Sequence, residues 1–225
     1  MLLSNKKKFI FVHIYKTAGT SAMQTLLPYA RRRDRAAYGG GRLQKAVFLF
    51  NRFFGLGQNG HKHITGFHKF APALDIRAKL GKRRYENFYS FGFARNPYDW
   101  VVSTYFHLKR IPLHPLHQMA MSLDFNEYIL KGVERSPDRQ CDFLCDSSGE
   151  LLVSQVGHVE TFEEDMRQIC QHLSIPFEKA AKANVNPGRK RGYQDYYTPE
   201  SRSLVHDYFA QDFELFGYDP DNDWV

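Results

Sequence analysis

Two stretches of this sequence bring a cation, small residues and hydroxyls together at the end of an apolar run. The first is FIFVHIYKTAGTSA, residues 9–22. Its apolar run ends in Lys16, followed by Thr17, Ala18, Gly19, Thr20 and Ser21. Small residues let a backbone approach a ligand closely. A helix opening there presents unpaired N–H groups and the positive end of its dipole. With the Lys16 charge and three hydroxyls added, the composition is that of an anion site. The order differs from the nucleoside-triphosphate loop G-x-x-x-x-G-K-[ST], in which lysine follows the glycines. An ordinary strand-to-helix turn with a surface lysine has the same residues, so the loop alone leaves both readings open.

The second stretch, FGFARNPYDWVVSTY, repeats the layout, with Arg95 at the strand end and Ser103 two turns into the following helix. A guanidinium suits a phosphate because its fork makes two parallel hydrogen bonds. The competing reading pairs Arg95 with a nearby carboxylate such as Asp99. Neighbouring strand ends of a parallel sheet form the edge where such folds bind ligands. Two anion sites there fit one ligand carrying two separate phosphates.

The elements that must position these residues follow from periodicity. Residues 9–14 and 87–94 read as short buried strands, continuous apolar runs that end at turns. Ala22, Met23, Leu26 and Leu27 recur at helical spacing until Pro28, which ends or kinks the helix. Asn96 caps a second helix, Pro97 takes its first position, and Tyr98, Val101, Val102 and Tyr105 form its apolar stripe. Residues 72–80 read as a helix closed by Gly81, and residues 125–131 as another. DFLCDSSGELLVSQV reads as two extended runs about a turn. Thr161 with Glu164 predicts a capping box, and Thr198-Pro199 opens a last helix with Leu204, Val205, Tyr208 and Phe209 inward. A short helix is expected at 43–53 and a short strand at 62–66. Strands alternating with helices argue for an α/β layer fold with a largely parallel sheet.

Composition bounds the rest. The chain has 225 residues, enough for one sizeable core, and is 43% hydrophobic. Its formal net charge of +7 favours anionic partners without choosing among them. Three cysteines, Cys141, Cys145 and Cys170, make no disulfide framework and suit a reducing compartment. The start, MLLSNKKKFIFVHIYK, is read as leading into a first strand, with neither signal peptide nor membrane anchor. No nucleic-acid motif is present.

HIYKTAGTSA resembles the H-I-P-K-T-G-G-T-S loop of sulfotransferases that use 3′-phosphoadenosine 5′-phosphosulfate (PAPS). FARNPYDWVVSTY is similar to the same family's F-V-R-N-P-Y-D-R-L-V-S-x-Y element. Weaker likenesses, VGHVETFEEDM and DYYTPESRSLVHDYFAQDFELFGY, carry the resemblance nearly to the C-terminus. The likeness is greatest to carbohydrate sulfotransferases, including the heparan sulfate 2-O type and bacterial counterparts. It implies one sulfotransferase domain over residues 1–225, with 31–60 and 109–140 as variable substrate-side insertions. The implied fold is a P-loop-like three-layer α/β fold with a central, mostly parallel sheet flanked by helices.

By the same resemblance, Lys16 and the loop through Ser21 (Thr17, Ala18, Gly19, Thr20) hold the 5′-phosphosulfate. Arg95 and Ser103 hold the 3′-phosphate, and Arg189 and Lys190 of the basic segment GRKRGY reach it too. A solvated basic loop is the alternative for those last two. Tyr15 stands where the family has proline, Ala18 where it has glycine, and Trp100 where arginine is frequent. Alanine fits at 18 if φ there is negative.

Sulfuryl transfer is expected to resemble phosphoryl transfer, in line and loose, with charge on the leaving phosphate. Lys16 and the loop amides would stabilise that charge, and no metal is required. A general base for the acceptor hydroxyl is worth about 10²–10⁴ in rate. The resemblance places it at His63, the second histidine of an H-x-H pair, with His61 a substrate contact or the alternative base; His68, in the same segment, is read as a substrate contact. Metal ligation by the pair, or surface histidines in a basic loop, are the other readings of GHKHITGFHKF. The resemblance implies a hydroxylated saccharide acceptor, with a hydroxylated small molecule as the other reading, and the expected location is cytoplasmic. Residues 31–35, Lys62, Lys69, Lys109 and Arg110 could line an open groove for an acidic polymer, and a solvated basic surface is the alternative for them. Two alternatives stay open: a P-loop kinase or other phosphotransferase, and a non-enzymatic polyanion-binding module.

Overall fold

In a computed structural model that describes residues 1–30, 67, 69–132, 138–177 and 192–221, the buried apolar runs form a four-stranded sheet of order β1-β2-β3-β4. The strands are β1 (Leu2–Ser4), β2 (Phe9–Phe11), β3 (Tyr89–Ala94) and β4 (Gln155–His158). β2 and β3 are parallel, with Phe9 opposite Tyr89, as the two strand-turn-helix units require. The edge strand β1 is antiparallel to β2, with Leu2 opposite Phe11, so the sheet is mixed. The lysines expected to precede the first strand instead make a hairpin turn. Lys8 sits there at φ +53°, and Ser4 Oγ accepts from Lys7 N at 3.0 Å. Three residues with no glycine or Asn-Gly turn give almost no sequence signal for such a hairpin.

Among the described residues there are ten α-helices. In chain order they are α1 (Gly19–Leu26), α2 (Ala73–Leu80), α3 (Lys82–Tyr85), α4 (Pro97–Leu108), α5 (His117–Ser122), α6 (Phe125–Gly132), α7 (Cys141–Leu144), α8 (Phe162–His172), α9 (Pro199–Tyr208) and α10 (Ala210–Leu215). None is long and apolar enough to cross a membrane. The chain divides into two compact units, Met1–Phe93 with Asp142–Ala181, and Ala94–Cys141 with Lys182–Val225.

The first unit is built on the sheet. Phe9, Phe11, Phe91 and Phe93 lie at alternate positions of β2 and β3 and pack with Met23 and Leu26 of α1 and with Met166 and Ile169 of α8, all buried. Each such side chain contributes roughly 1.5–3 kcal/mol relative to exposure. Thr161 is the N-cap of α8, but the expected capping box does not form. Asp165, rather than Glu164, closes the turn: its Oδ2 accepts from Thr161 Oγ1 and from His158 N, each at 2.7 Å. The carboxylate one position further on reaches both groups, and it also ties β4 to α8. Lys7 Nζ donates to the carbonyls of Leu173 and Ser174 at 3.3 and 2.5 Å, a cation at the negative end of α8. DFLCDSSGELLVSQV is less extended than its composition predicts: its start is the single turn α7, and the two sides of the turn before β4 meet at an isolated bridge, Cys145 with Leu151, flanked by Leu152 N donating to Leu144 O at 2.8 Å and Asp146 N to Glu150 O at 2.9 Å.

The second unit packs α4 against the C-terminal helices. Tyr98 lies 4.8 Å from the Phe213 ring and 5.4 Å from Tyr197, and Trp100 meets Phe209 edge-on at 5.8 Å. Trp100 is therefore a core residue of this unit. Asn96 Oδ1 accepts from Tyr98 N at 3.0 Å, and Pro97 follows, as the sequence predicts. Helix α9 carries a capping box, in which Thr198 and Ser201 exchange side-chain and backbone hydrogen bonds. It is followed by α10, so it is not the last helix. Cys141, Cys145 and Cys170 are all at most 5% exposed, and burial pushes the Cys170 thiol up to about 11.

Candidate anion-binding site

In the first unit the ladder runs one residue past β2, where Val12 N donates to Phe91 O at 2.8 Å. The chain then turns within four residues. Lys16 and Ala18 both adopt left-handed backbone, φ +64° and +55°. Thr17, fully buried between them, donates its hydroxyl to Ile14 O at 3.0 Å and so stitches the turn to the strand end. What Thr17 offers the loop mouth is its amide. Ala18 is the N-cap of α1: its carbonyl accepts from Ser21 N at 2.9 Å and Ala22 N at 3.2 Å.

Among the described residues, the amides of Thr17, Ala18, Gly19 and Thr20 donate to no other group. Consecutive N–H groups in alternating conformation at a helix start form an anion-binding concavity. The condition set for Ala18, a negative φ, is not met. A side chain held in the left-handed region costs about 1–2 kcal/mol, so this turn is strained where glycine would not be.

His13 underlies the loop. Its ring stacks on Phe11 with centroids 5.6 Å apart and lies 5.0 Å from Phe70. It also fills the space beside Gly19: a Cβ on that glycine would lie 1.8 Å from His13 Nε2. Gly19 is thus required by close approach. Burial holds the His13 pKa well below its ordinary value of 6.5, aided by the N-terminal ammonium and Lys69. A neutral imidazole is the packed form. Lys69 is itself pushed down by burial, with its ammonium 5.1 Å from the Phe70 ring. Tyr15, in place of the family's proline, sets its ring edge-on to Phe70 and Phe143 at 6.0 and 5.9 Å.

The second unit holds the other cation. Arg95 follows β3 directly and pairs with Asp99 one helical turn on. Its Nε donates to Asp99 Oδ2 at 2.7 Å, and its Nη2 lies 2.6 Å from the same oxygen. The pairing weighed as the alternative is therefore present. It engages the donors on Nε and Nη2 of a group that carries five N–H. The Arg95 backbone is clamped as well. Gln140 accepts from Arg95 N at 2.9 Å and donates back to Arg95 O at 2.8 Å. Asp212, fully buried, fixes Gln140: its two oxygens accept from Gln140 N at 2.9 Å and Cys141 N at 2.8 Å.

Sequence reasoning missed Gln140 and Asp212. The available signal was a carboxylate at a buried position of α10, beside Phe209, Phe213 and Phe216. Ser103 lies on α4, 7% exposed, with no side-chain hydrogen bond among the described residues. Tyr193, which ends the GRKRGY segment, stacks on Tyr98 at 6.4 Å and accepts from Asn96 Nδ2 at 3.4 Å.

The structure brings Lys16, Thr17, Ala18, Gly19, Thr20 and Ser21 together at one helix start, and places Arg95 just before the N-cap of α4 and Ser103 further along that helix. His61, His63, His68, Arg189 and Lys190 lie outside the described residues, as do the helix expected at 43–53 and the strand expected at 62–66.

A curated protein of Archaeoglobus fulgidus, itself described as an uncharacterized protein, is 24% identical over 125 residues, covering 51% of this chain and 91% of its own length. No solved structure matches. The Sulfotransferase family profile matches residues 1–219, the span that holds both strand-end cations and the loop of unbonded amides, and the chain therefore belongs to the sulfotransferase family.

Proposed function

We propose that this sulfotransferase transfers the sulfuryl group of PAPS to a hydroxyl of a saccharide acceptor, as one domain acting in the cytoplasm. The observation that carries the reading is the run of four unbonded amides beside Lys16 at the start of α1, within a family that transfers sulfuryl groups. That arrangement supports a role for Lys16 and residues 17–21 at the phosphosulfate. Arg95 and Ser103 take the 3′-phosphate, joined by Arg189 and Lys190. Asp99 shares the Arg95 guanidinium and sets its orientation.

In the proposed reaction the acceptor oxygen forms a bond to sulfur while the bond from sulfur to the bridging phosphate oxygen breaks. The hydroxyl proton passes to His63, with His61 and His68 holding the acceptor, and adenosine 3′,5′-bisphosphate leaves. Lys16 and the loop amides stabilise the charge gathering on the leaving phosphate without a metal.

The test is incubation with ³⁵S-labelled PAPS and a panel of polysaccharides, oligosaccharides, phenols and lipids, with wild type, Lys16→Ala and His63→Ala in parallel. Label is expected in a saccharide with wild type. Lys16→Ala is expected to abolish transfer at unchanged stability. His63→Ala is expected to lower turnover about 10²-fold or more with donor affinity nearly unchanged. No labelled acceptor, together with magnesium-dependent ATP binding, would overturn the reading in favour of phosphotransfer. Full activity of His63→Ala would move the base elsewhere.

A further inference from the structure

Within the second unit, α4, the start of α6 and the 3-10 turn Gln194–Tyr196 border an open cavity of about 400 Å³. Its walls include Phe106, Lys109, Asp124, Phe125, Asp195 and Tyr196. This size suits a small-molecule subsite, which typically combines apolar walls with a few placed polar groups.

The walls are held in place before any ligand arrives. Phe106 meets Tyr196 edge-on with centroids 5.2 Å apart, and Phe125 meets Tyr196 at 5.9 Å and Tyr105 at 5.5 Å. Tyr105 donates its hydroxyl to Leu123 O at 2.9 Å and accepts from Lys109 Nζ at 3.1 Å. Asn126 pins the opposite rim. Its Nδ2 donates to Tyr196 O at 3.0 Å, while its Oδ1 accepts from Thr198 N at 3.0 Å and Ser201 Oγ at 2.6 Å. A ligand entering here pays little ordering entropy.

The polar groups set the ligand class. One oxygen of Asp124 accepts from Glu127 N at 2.9 Å and caps α6. Among the described residues, its other oxygen and the Asp195 carboxylate accept no hydrogen bond. Carboxylates only accept, so they select a ligand rich in donors, such as hydroxyls. Two carboxylates and one ammonium give the cavity a formal charge of −1 on a chain whose formal net charge is +7. A sulfated or uronic residue would face like charge there. Flat aromatic walls suit the C–H face of a sugar ring.

We propose that this cavity seats an uncharged hexose residue of the acceptor, with its ring against Phe106 and Tyr196 and its hydroxyls donating to Asp124 and Asp195. The inference rests on the saccharide acceptor proposed above and adds that the residue bound here is neutral. It is tested by calorimetric titration of the full chain with neutral gluco- and manno-hexasaccharides, a heparin hexasaccharide and adenosine 3′,5′-bisphosphate. A neutral hexasaccharide is expected to bind. Phe106→Ala and the exposed, fold-neutral Asp195→Asn are each expected to weaken it about tenfold, with nucleotide affinity unchanged.

Absence of neutral-saccharide binding to wild type overturns the cavity assignment. So does loss of heparin hexasaccharide binding alone in the two variants. If the nucleotide fails to bind while the neutral saccharide binds and responds to both variants, the donor assignment falls and the cavity assignment stands. If labelled sulfate is transferred from PAPS but neither variant changes saccharide binding, the reverse holds.

Discussion

The most informative perturbation is Asp212→Asn, because one buried carboxylate fixes the segment that clamps Arg95. Its two oxygens accept from the amides of Gln140 and Cys141 at 2.9 and 2.8 Å, and it is 0% exposed. Hydrogen bonds to a charged group are worth about 1.5–3 kcal/mol each, and a buried amide left unsatisfied costs about 1–3 kcal/mol. Asparagine keeps the shape and one acceptor, but turns an NH₂ group toward the other amide. The expected loss is about 2–4 kcal/mol, a large part of a typical stability of about 5–15 kcal/mol. With a urea m-value of about 1–3 kcal/mol/M, the midpoint should fall by roughly 0.7–4 M. Glu214→Gln, an exposed change on the same helix, should stay within about 0.5 kcal/mol. Because Gln140 carries the clamp, adenosine 3′,5′-bisphosphate should also bind Asp212→Asn more weakly in buffer where that variant is still folded. A midpoint within 0.3 M of wild type would refute the argument, since it would mean both amides find other acceptors.

Gly19→Ala should destabilise the first unit by about 1–3 kcal/mol and weaken nucleotide binding, because the added methyl meets the His13 ring; melting and nucleotide titration read both effects. Ala18→Gly should have the opposite sign or be neutral, raising stability by up to about 1 kcal/mol, since it relieves a positive φ of 55° while adding unfolded-state entropy. A loss above 1 kcal/mol would show that the turn is unstrained. His13 gives a pH dependence: its folded pKa lies below its unfolded one, so the unfolded chain binds the proton first as pH falls below about 6.5. Stability from this group is complete above that pH and is lost on acidification, by up to about 1.4 kcal/mol per unit. His13→Gln should flatten that part of the stability profile measured by urea titration between pH 5 and 7.

The two strand-turn-helix units were legible because their signals are local. The strand at 89–94, the Asn96 cap, Pro97 and the apolar stripe of α4 all depend on residues within one or two turns of each other. The loop was legible in type, since Lys16 and small residues precede a helix. Its backbone was not: Ala18 at positive φ contradicts alanine's own preference and is imposed by the turn that Thr17 ties to Ile14. β1 was missed because three residues and a lysine turn carry little pattern. The clamp on Arg95 was missed because Gln140 and Asp212 lie 45 and 117 positions from Arg95 in the chain, beyond the reach of periodicity. At Thr161 the capping pattern misled, since Asp165 offers the same chemistry one residue further on.

The burial of all three thiols has a practical consequence. None is presented to a bulky maleimide or to peroxide, so the native chain needs no cysteine deletions before site-directed spectroscopy. A single cysteine engineered at an exposed position of each unit would accept fluorophores selectively. Each dye would then read a nucleotide titration in its own unit, without interference from native thiols.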